Sequence, residues 1–294
     1  MSTAQLIDGK AIAQAIHSET AARVAALKTK GITPGITFVR VGEDPASQAY
    51  VRMKGKKALE LGIKSDTIVL PDATTEAELL ALLEKLNADK SVHGILVQAP
   101  LPKHISETKV FSTVLPSKDV DGFHPVNVGK LLLGEEGGFK PCTPAGVHEL
   151  LIRSKIPVEG AHVVILGRGN IVGKPMAAIL VQKAKHANAT VTVLHSRSRD
   201  IAEHCRRADI LIAAMGQTEF VKADMVKPGA TVIDVGVNRV TDANDPRGYR
   251  LVGDIDFKAV CEVAAHVTPN PGGVGPMTIA MLMANTATAA EAAA

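Results

Sequence analysis

Several features that would point to particular classes of protein are absent from this sequence. The 294 residues include no tryptophan, and aromatic residues make up only 3%. Because proteins that bind single-stranded nucleic acid stack bases on aromatic side chains, nucleic-acid binding is not expected. No apolar run reaches membrane-spanning length, and no basic-then-apolar signal segment opens the chain. We therefore expect neither a nucleic acid nor a membrane as a partner.

Cysteine and histidine are too few or too dispersed to suggest a structural framework. The three cysteines, Cys142, Cys205 and Cys261, lie far apart along the chain. Their odd number and irregular spacing predict neither a disulfide framework nor a zinc site. The ten histidines are scattered, with no pair at ligand spacing on a helix. We expect no metal site, and a reducing, cytoplasmic environment is the simplest interpretation.

The composition is that of a globular protein with two domains. Apolar residues make up 46% of the chain and charged residues 21%, which excludes a disordered protein. The length exceeds that of a typical single domain and allows a sizeable core. The net charge of +3 suits anionic small molecules without selecting one.

The first half of the chain alternates predicted strands and helices. The strands are predicted at residues 36–41, 67–70 and 94–97. An amphipathic pattern predicts a helix over 8–30, and Asp44 followed by Pro45 is typical of a helix start. Thr75 and Glu78 form the capping-box pattern of a further helix. Strands that alternate with helices predict an α/β fold with a mostly parallel sheet.

A polar connection joins this half to a second set of alternating elements. Residues 115–125 cannot form a regular element, and a short helix at 131–133 and a helix opened by Thr143 follow. Later strands are predicted at 190–194, 210–214 and 231–235, with helices between them and a hairpin or long loop at 238–251. The second half is thus a second α/β domain.

A glycine turn opens that second domain. Five apolar residues within 161–166 lead into Gly167, Gly169 and Gly173, and then into an apolar helical pattern. Strand, glycine turn and helix in this order begin a dinucleotide fold, because a pyrophosphate approaches the backbone at a helix N-terminus. The spacing is one residue longer than the commonest fingerprint. A strand–turn–helix that binds no nucleotide is therefore the alternative.

The residues after the next strand bear on the choice of dinucleotide. A site for NAD usually has an acidic residue there, which binds the ribose hydroxyls. This chain has Ser196 and Arg197 instead, and Arg168 in the glycine turn can reach the same place. Cations and hydroxyls suit a ribose phosphate, so NADP is the expected cofactor. A solvated basic loop is the other interpretation of these arginines.

Four side chains outside the glycine turn are conspicuous, although each also has an ordinary interpretation. Lys54 shares a predicted helix face with Tyr50, and Gln98 ends an apolar strand, where ligands of α/β sheets bind. Asp121 lies in a constrained loop. The alternatives are a solvated side chain for Lys54, a core position for Tyr50, a strand-capping amide for Gln98, and a carboxylate that holds its own turn for Asp121.

Five motifs together indicate a family. They occupy residues 50–54, 94–98, 118–122, 167–175 and 271–278. In order and spacing they resemble the bifunctional methylenetetrahydrofolate dehydrogenase/methenyltetrahydrofolate cyclohydrolase family, and the resemblance covers essentially the whole chain. It implies a folate-binding catalytic domain at 1–139 and 272–294, an NADP-binding Rossmann domain at 140–271, a folate cleft between them, and a homodimer. The implied substrates are tetrahydrofolate derivatives.

The resemblance also implies roles for individual residues. Lys54 resembles the catalytic lysine and Gln98 its hydrogen-bonding partner. Asp121 resembles the anchor of the pterin's amino-pyrimidine edge, and Tyr50 the residue that packs on the folate. The other implied substrate-binding residues are Pro271, Gly272 and Gly273. The implied cofactor-binding residues are Gly167, Arg168, Gly169, Ser196, Arg197 and Val237, of which Val237 is a nicotinamide-side contact.

The sequence departs from the usual family pattern at three positions. The family usually has Ser in place of Gly169, Leu in place of Ala99 and Val in place of Asn270. The glycine removes a hydroxyl from the cofactor turn but eases backbone approach. Neither Ala99 nor Asn270 replaces a group that the chemistry needs, although both can reshape the folate cleft.

The implied chemistry explains why these residue types are needed. Hydride leaves the one-carbon bridge of methylenetetrahydrofolate for NADP, which requires alignment more than acid–base help. Water then adds to the cationic carbon and a carbon–nitrogen bond opens, so protons must move. A lysine can serve as the base if burial and the cationic substrate disfavour its charged form.

Two functions from other classes remain as alternatives. An NADP-dependent dehydrogenase of small hydroxy acids, such as the shikimate type, has the same two-domain plan and also uses a lysine. It does not need Tyr50, Lys54, Gln98, Asp121 and the motif Pro271-Gly272-Gly273 together. A non-catalytic NADP sensor or scaffold would tolerate the loss of Lys54 or Gln98, and both are present.

Overall fold

Strands and helices alternate along most of the chain in the computed structural model, which describes residues 4–242, 245 and 248–294. The strands are β1 (Gln5–Leu6), β2 (Gly35–Val41), β3 (Lys64–Leu70), β4 (Gly94–Val97), β5 (His162–Leu166), β6 (Thr190–Leu194), β7 (Ile210–Ala213), β8 (Thr231–Asp234), β9 (Asn238–Thr241), β10 (Tyr249–Val252) and β11 (His266–Val267). The helices are α1 (Gly9–Thr29), α2 (Pro45–Glu60), α3 (Glu76–Ala88), α4 (Glu107–Thr113), α5 (Pro125–Leu133), α6 (Cys142–Arg153), α7 (Gly173–Leu180), α8 (Ile201–Arg206), α9 (Phe257–Val260) and α10 (Val274–Ala292).

The contacts divide the chain into two compact units. The lysine unit comprises Gln14–Cys142 and Ile279–Ala294, and it contains Lys54. The glycine-turn unit comprises the chain up to Ala13 and Thr143–Thr278, and it contains the turn that follows β5. Within the described residues, no helix is long and apolar enough to cross a membrane.

A three-stranded parallel sheet in the order β3-β2-β4 forms the centre of the lysine unit. Alternate residues of β2 point to opposite faces. Ile36 and Phe38 pack in one core with Leu96 of β4 and with residues of α2 and α10, whereas Val39 and Val41 pack in a second core with α3. Each large apolar side chain buried in this way contributes about 1.5–3 kcal/mol. The two cores fix the register of the sheet and therefore the positions of its carboxyl ends.

A six-stranded parallel sheet in the order β1-β11-β8-β7-β5-β6 forms the glycine-turn unit. The short strand β1 pairs with β11, through Gln5 with His266 and Leu6 with Val267. Residues 5–6 therefore form an edge strand of this sheet. Two-residue strands carry no periodic signal, so neither β1 nor β11 is predictable from the pattern.

The structure confirms the local predictions in the first half. The Asp44 side chain accepts a hydrogen bond from the backbone nitrogen of Ser47 at 2.7 Å, and Pro45 is the first residue of α2. Thr75 and Glu78 form both bonds of the capping box at α3. All strand pairs of the two larger sheets are parallel, as expected for an α/β fold.

Other predictions need correction. Helix α6 begins at Cys142, one residue before the predicted start at Thr143. The helix predicted between β7 and β8 is wrong: the described residues there form only a 3₁₀ turn, Ala223–Met225.

The predicted hairpin at 238–251 is confirmed by the antiparallel pair β9 and β10, and residues 243–244 and 246–247 of its loop lie outside the described residues. The compact units change at 13/14, 142/143 and 278/279, and the domain boundaries of 139/140 and 271/272 remain predictions.

Candidate active site and cofactor site

Lys54 is a buried lysine, with only 8% of its surface exposed. It lies on α2 between Val51 and Ala58, and the 3.6-residue period of the helix puts all three side chains on nearly the same face. Val51 and Ala58 belong to the core that includes Phe38. The structure therefore excludes the solvated-lysine interpretation, because the helix directs this side chain into the unit.

The amine of Lys54 meets the side chain of Gln98. Gln98 follows β4 at its carboxyl end, two residues after Leu96, so both side chains point to the same face of the sheet. The Lys54 Nζ donates a hydrogen bond to the Gln98 Oε1 at 3.1 Å. The Gln98 Nε2 donates to the backbone oxygen of Ala99 at 2.6 Å, which fixes the amide oxygen towards the amine.

Asp119, and not Asp121, holds the turn that follows. The Asp119 carboxylate accepts hydrogen bonds from the backbone nitrogens of Phe123 (3.2 Å) and His124 (2.7 Å) and from the Nδ2 of Asn127 (2.8 Å). Burial raises the pKa of Asp119 to about 6, with a contribution from the charge of Asp121, although these three donors favour the charged form. The turn-holding interpretation of Asp121 is therefore wrong.

Asp121 lies close to both Lys54 and Cys142. Removal from water raises the pKa of the Asp121 carboxyl, while the charge of Lys54 and the nearby Cys142 thiol lower it. Burial and the Asp121 charge raise the pKa of the Cys142 thiol well above its usual value. The structure thus places the Lys54 amine in hydrogen-bond contact with Gln98, and Asp121 near enough in the same unit for its charge to interact with that of Lys54.

Three residues that support this arrangement, Asp119, Cys142 and Asn285, were not identified from the sequence. The Cys142 Sγ donates to the Val120 backbone oxygen at 3.3 Å, and the Asn285 Nδ2 donates to the same oxygen at 2.8 Å. These contacts hold the backbone next to Asp121 from α6 and α10. Asn285 in a helix rich in Ala and Met, and Asp119 two residues before Asp121, were the available signals.

Tyr50 lies one turn before Lys54 on α2, and 43% of its surface is exposed. This exposure excludes the interpretation of Tyr50 as an ordinary core residue. The ring is available to pack on a ligand.

The glycine turn in the other unit has the geometry of a dinucleotide site. Gly167 follows β5 with a φ of +121° and donates its backbone N–H to Leu194 of the neighbouring strand at 2.8 Å. A Cβ at Gly173, the first residue of α7, would overlap the backbone carbonyl of Gly167. At Gly169 a Cβ would meet nothing within 4 Å. The close backbone approach therefore depends on Gly173, and the Ser that the family usually has would fit at Gly169.

The predicted ribose-phosphate residues lie on the surface of the same unit. Arg168, Ser196 and Arg197 are all exposed. The turn after β6 is closed by the backbone nitrogen of Ser198, which donates to the His195 oxygen at 2.8 Å. Among the ion pairs of the described residues, none involves Arg168 or Arg197. A glycine cradle with two such guanidiniums fits a dinucleotide that carries an additional phosphate.

The remaining predicted residues also lie in the glycine-turn unit. Val237 follows β8 and is half exposed, at 50%. The Asn270 Nδ2 donates a hydrogen bond to the backbone oxygen of the neighbouring Gly236, which the usual valine could not do. Pro271, Gly272 and Gly273 form the loop between β11 and α10.

Metal ligation finds no support in the part of the chain that the structure describes. No group of three or more His, Cys, Asp or Glu side chains there is arranged to hold a metal ion.

Together, the fold and the two sites define a two-unit α/β protein with a dinucleotide turn in one unit and a buried amine–amide pair in the other.

Comparison with known proteins identifies the family. The chain belongs to the tetrahydrofolate dehydrogenase/cyclohydrolase family: the model of the catalytic domain matches residues 7–121, and that of the NAD(P)-binding domain matches residues 141–294. The resemblance inferred from the five motifs is thereby confirmed.

Individual relatives are similar over almost their whole length. Bifunctional protein FolD of Desulfotalea psychrophila is 54% identical over 292 residues, which cover 99% of each chain. The crystal structure of the bifunctional enzyme FolD from Campylobacter jejuni has 48% identity and a TM-score of 0.93, and covers 98% of this chain and 99% of that chain. The FolD of Trypanosoma brucei, complexed with NADP cofactor and inhibitor, has 42% identity and a TM-score of 0.94 and covers 99% of both chains.

Alanine at position 173 should weaken NADP binding, because its Cβ would push the helix away from the Gly167 carbonyl. We expect isothermal titration calorimetry to give a Kd for NADP raised by about tenfold or more. Gly129→Ala, in α5 of the lysine unit, is the matched control and should change the Kd by less than about twofold, since nothing lies within 4 Å of its added Cβ. Parent-like affinity in Gly173→Ala would contradict this interpretation of the turn.

Proposed function

We propose that this protein oxidises methylenetetrahydrofolate to methenyltetrahydrofolate with NADP, and hydrolyses the product to formyltetrahydrofolate. Support comes from membership of a dehydrogenase/cyclohydrolase family over both parts of the chain. It also comes from full-length relatives described as bifunctional. The observation that carries the proposal is the buried hydrogen bond between Lys54 and Gln98, with Asp121 close to the same amine.

The lysine unit would hold the folate. We assign Asp121 to the amino-pyrimidine edge of the pterin, because a carboxylate accepts two parallel N–H bonds from such an edge. The exposed ring of Tyr50 would pack on the folate. Pro271, Gly272 and Gly273 are assigned to substrate binding on their motif alone.

The dehydrogenase step would depend on positioning. When bound, NADP accepts a hydride from the one-carbon bridge of the folate. The chain's own residues have no proton to move in this step, since the nitrogen lone pairs of the folate stabilise the resulting cation. Fixing the pterin through Asp121 and Tyr50 is therefore the contribution that the lysine unit makes.

The cyclohydrolase step would need Lys54 as a base. Water adds to the cationic carbon, loses a proton, and a carbon–nitrogen bond opens as a proton reaches the leaving nitrogen. An amine can take part only in its neutral form, which burial and a nearby cationic substrate favour. Gln98 would orient the amine, because its oxygen is fixed towards Nζ by the bond from Nε2 to Ala99.

NADP would bind to the glycine-turn unit. Gly167, Gly169 and Gly173 would allow the pyrophosphate to approach the backbone at the start of α7. Arg168, Ser196 and Arg197 would bind the ribose phosphate, and Val237 would contact the nicotinamide side. The exposed guanidiniums and the close approach at Gly173 support this assignment.

We also propose that the protein is a cytoplasmic homodimer. The six-stranded sheet ends at β6, and exposed apolar side chains on and next to this strand and α7 include Val181 and Val193. Apolar surface at a sheet edge favours association with another chain. Three buried free cysteines suit a reducing compartment.

NADP should be strongly preferred over NAD, because Arg168, Ser196 and Arg197 stand where an NAD enzyme has an acidic residue. Charge-assisted bonds to one phosphate suggest a ratio of catalytic efficiencies of about a hundredfold or more. Initial rates of methenyltetrahydrofolate formation with each dinucleotide measure it. Comparable kcat/KM with NAD would refute the assignment of the phosphate site.

Lys54→Met should separate the two activities. It keeps the length and apolar bulk of the side chain but deletes the amine, so cyclohydrolase activity should fall by about a hundredfold to ten-thousandfold. Dehydrogenase activity should fall less, because hydride transfer needs no base. Both rates follow from the methenyl absorbance, which rises in the first step and decays in the second.

Two comparisons sharpen this test. Lys56→Met makes the same change on α2 at an exposed position and should leave both activities intact. Asp121→Asn should impair both activities, since the same carboxylate binds the pterin in each step. A Lys54→Met protein that hydrolyses methenyltetrahydrofolate at the parent rate would place the proton chemistry elsewhere.

A further inference from the structure

Two buried carboxylates in the glycine-turn unit have no part in the chemistry proposed above. Asp234 is the last residue of β8, and Asp254 follows β10 by two positions. Their exposed fractions are 3% and 0%. Buried carboxylates are costly unless donors satisfy them, so each one calls for a structural reason.

Asp254 is satisfied on both oxygens. Its Oδ2 accepts hydrogen bonds from the backbone nitrogens of Met215 (2.6 Å) and Gly216 (2.9 Å). Its Oδ1 accepts from the backbone nitrogen of Gln217 (2.9 Å) and from the Nδ2 of Asn238 (2.8 Å). Only a carboxylate offers acceptors on both sides, because an amide would turn an N–H group towards two of these donors.

The four donors belong to two loops at one edge of the sheet. Residues 215–217 follow β7, and Asn238, the first residue of β9, comes directly after the loop that follows β8. The carboxyl ends of parallel strands are where α/β sheets bind dinucleotides. The first loop also adjoins the glycine turn, since the Ala214 backbone nitrogen donates to Leu166 at 2.8 Å, one residue before Gly167. Asp254 therefore ties both loops together at the edge assigned to NADP.

The loop after β8 approaches the Asp254 carboxylate so closely that it requires a glycine. A Cβ at Gly236 would overlap the Asp254 carboxylate. Val237, the proposed nicotinamide-side contact, lies between this glycine and Asn238. The residues on both sides of Val237 thus contact Asp254: Gly236 by its close approach and Asn238 by its hydrogen bond.

Asp234 is satisfied on one oxygen only. Its Oδ1 accepts from the backbone nitrogens of Gly236 (3.1 Å) and Asp254 (2.9 Å). Its Oδ2 has no hydrogen-bond partner among the described residues. Burial and the adjacent Asp254 charge raise the pKa of Asp234 to about 6, against backbone donors that lower it. An amide could replace this side chain without losing a bond.

We propose that Asp254 is a positioning residue for NADP, which holds the loops after β7 and β8 in their binding conformation through both carboxylate oxygens. Asp234 contributes through a single oxygen. This inference rests on the proposed function, because it assumes that the carboxyl edge of this sheet receives the cofactor.

The test compares two isosteric substitutions. In Asp254→Asn, the NH₂ group faces either the Met215 and Gly216 N–H groups or the Gln217 N–H group and the Asn238 amide, so at least one backbone N–H group loses its acceptor. We expect the KM and calorimetric Kd for NADP to rise about tenfold or more. Hydrolysis of methenyltetrahydrofolate without NADP should stay within about twofold of the parent rate. Asp234→Asn should leave all these values within about twofold, since its NH₂ can occupy the unpartnered position.

A second variant keeps the test decisive if Asp254→Asn folds poorly. Asn238→Ala leaves the carboxylate and its three backbone donors but releases the second loop, so it should raise the KM for NADP with unchanged hydrolysis. Parent-like NADP affinity in a folded Asp254→Asn or in Asn238→Ala would overturn the proposal, as would equal losses in hydrolysis and NADP binding. If the parent protein binds NADP but lacks both activities, the proposed function is refuted and the proposal for Asp254 is not. Calorimetry still tests that proposal, because it measures NADP binding without any activity.

Discussion

The hydrogen bond between the Lys54 amine and the Gln98 amide oxygen is the constraint on which the lysine unit depends. A buried amine needs an acceptor, and Gln98 supplies one because it directly follows β4 on the α2 side of the sheet. Phe38, Leu96 and Val51 fill the core beneath, so helix and strand are fixed relative to each other. The same core includes Val120, the residue before Asp121. Apolar packing thus sets the geometry of a polar site.

The glycine-turn unit follows a different principle, in which backbone groups form the site and side chains hold the backbone. Gly173 lets α7 start against the carbonyl of Gly167, and Asp254 collects donors from the loops after β7 and β8. The cations, by contrast, lie on the surface at Arg168 and Arg197. Such a division suits a cofactor whose pyrophosphate needs close approach and whose additional phosphate needs charge.

Local features of the fold could be predicted from the sequence, whereas features that depend on distant contacts could not. The caps at Asp44 and Thr75 were predictable because their bonds join residues three positions apart. The pairing of β1 with β11 was not, since it joins residues about 260 positions apart and leaves no periodicity.

The candidate site shows the same limit. Motifs named Lys54, Gln98 and Asp121, but the burial of Lys54 depends on the packing of three elements. Spacing alone also could not separate Asp119, which holds its own turn, from Asp121, which does not. Asp254 carries no motif, because its four donors come from loops that only the folded sheet brings together.

The most direct test of the account is the absorbance of methenyltetrahydrofolate when the purified protein is mixed with methylenetetrahydrofolate, with and without NADP. The account predicts that the methenyl signal rises only when NADP is present and then decays faster than in a protein-free control as formyltetrahydrofolate forms. A signal that never rises with NADP, or that rises and decays only at the uncatalysed rate, would contradict the claim that one chain performs both steps.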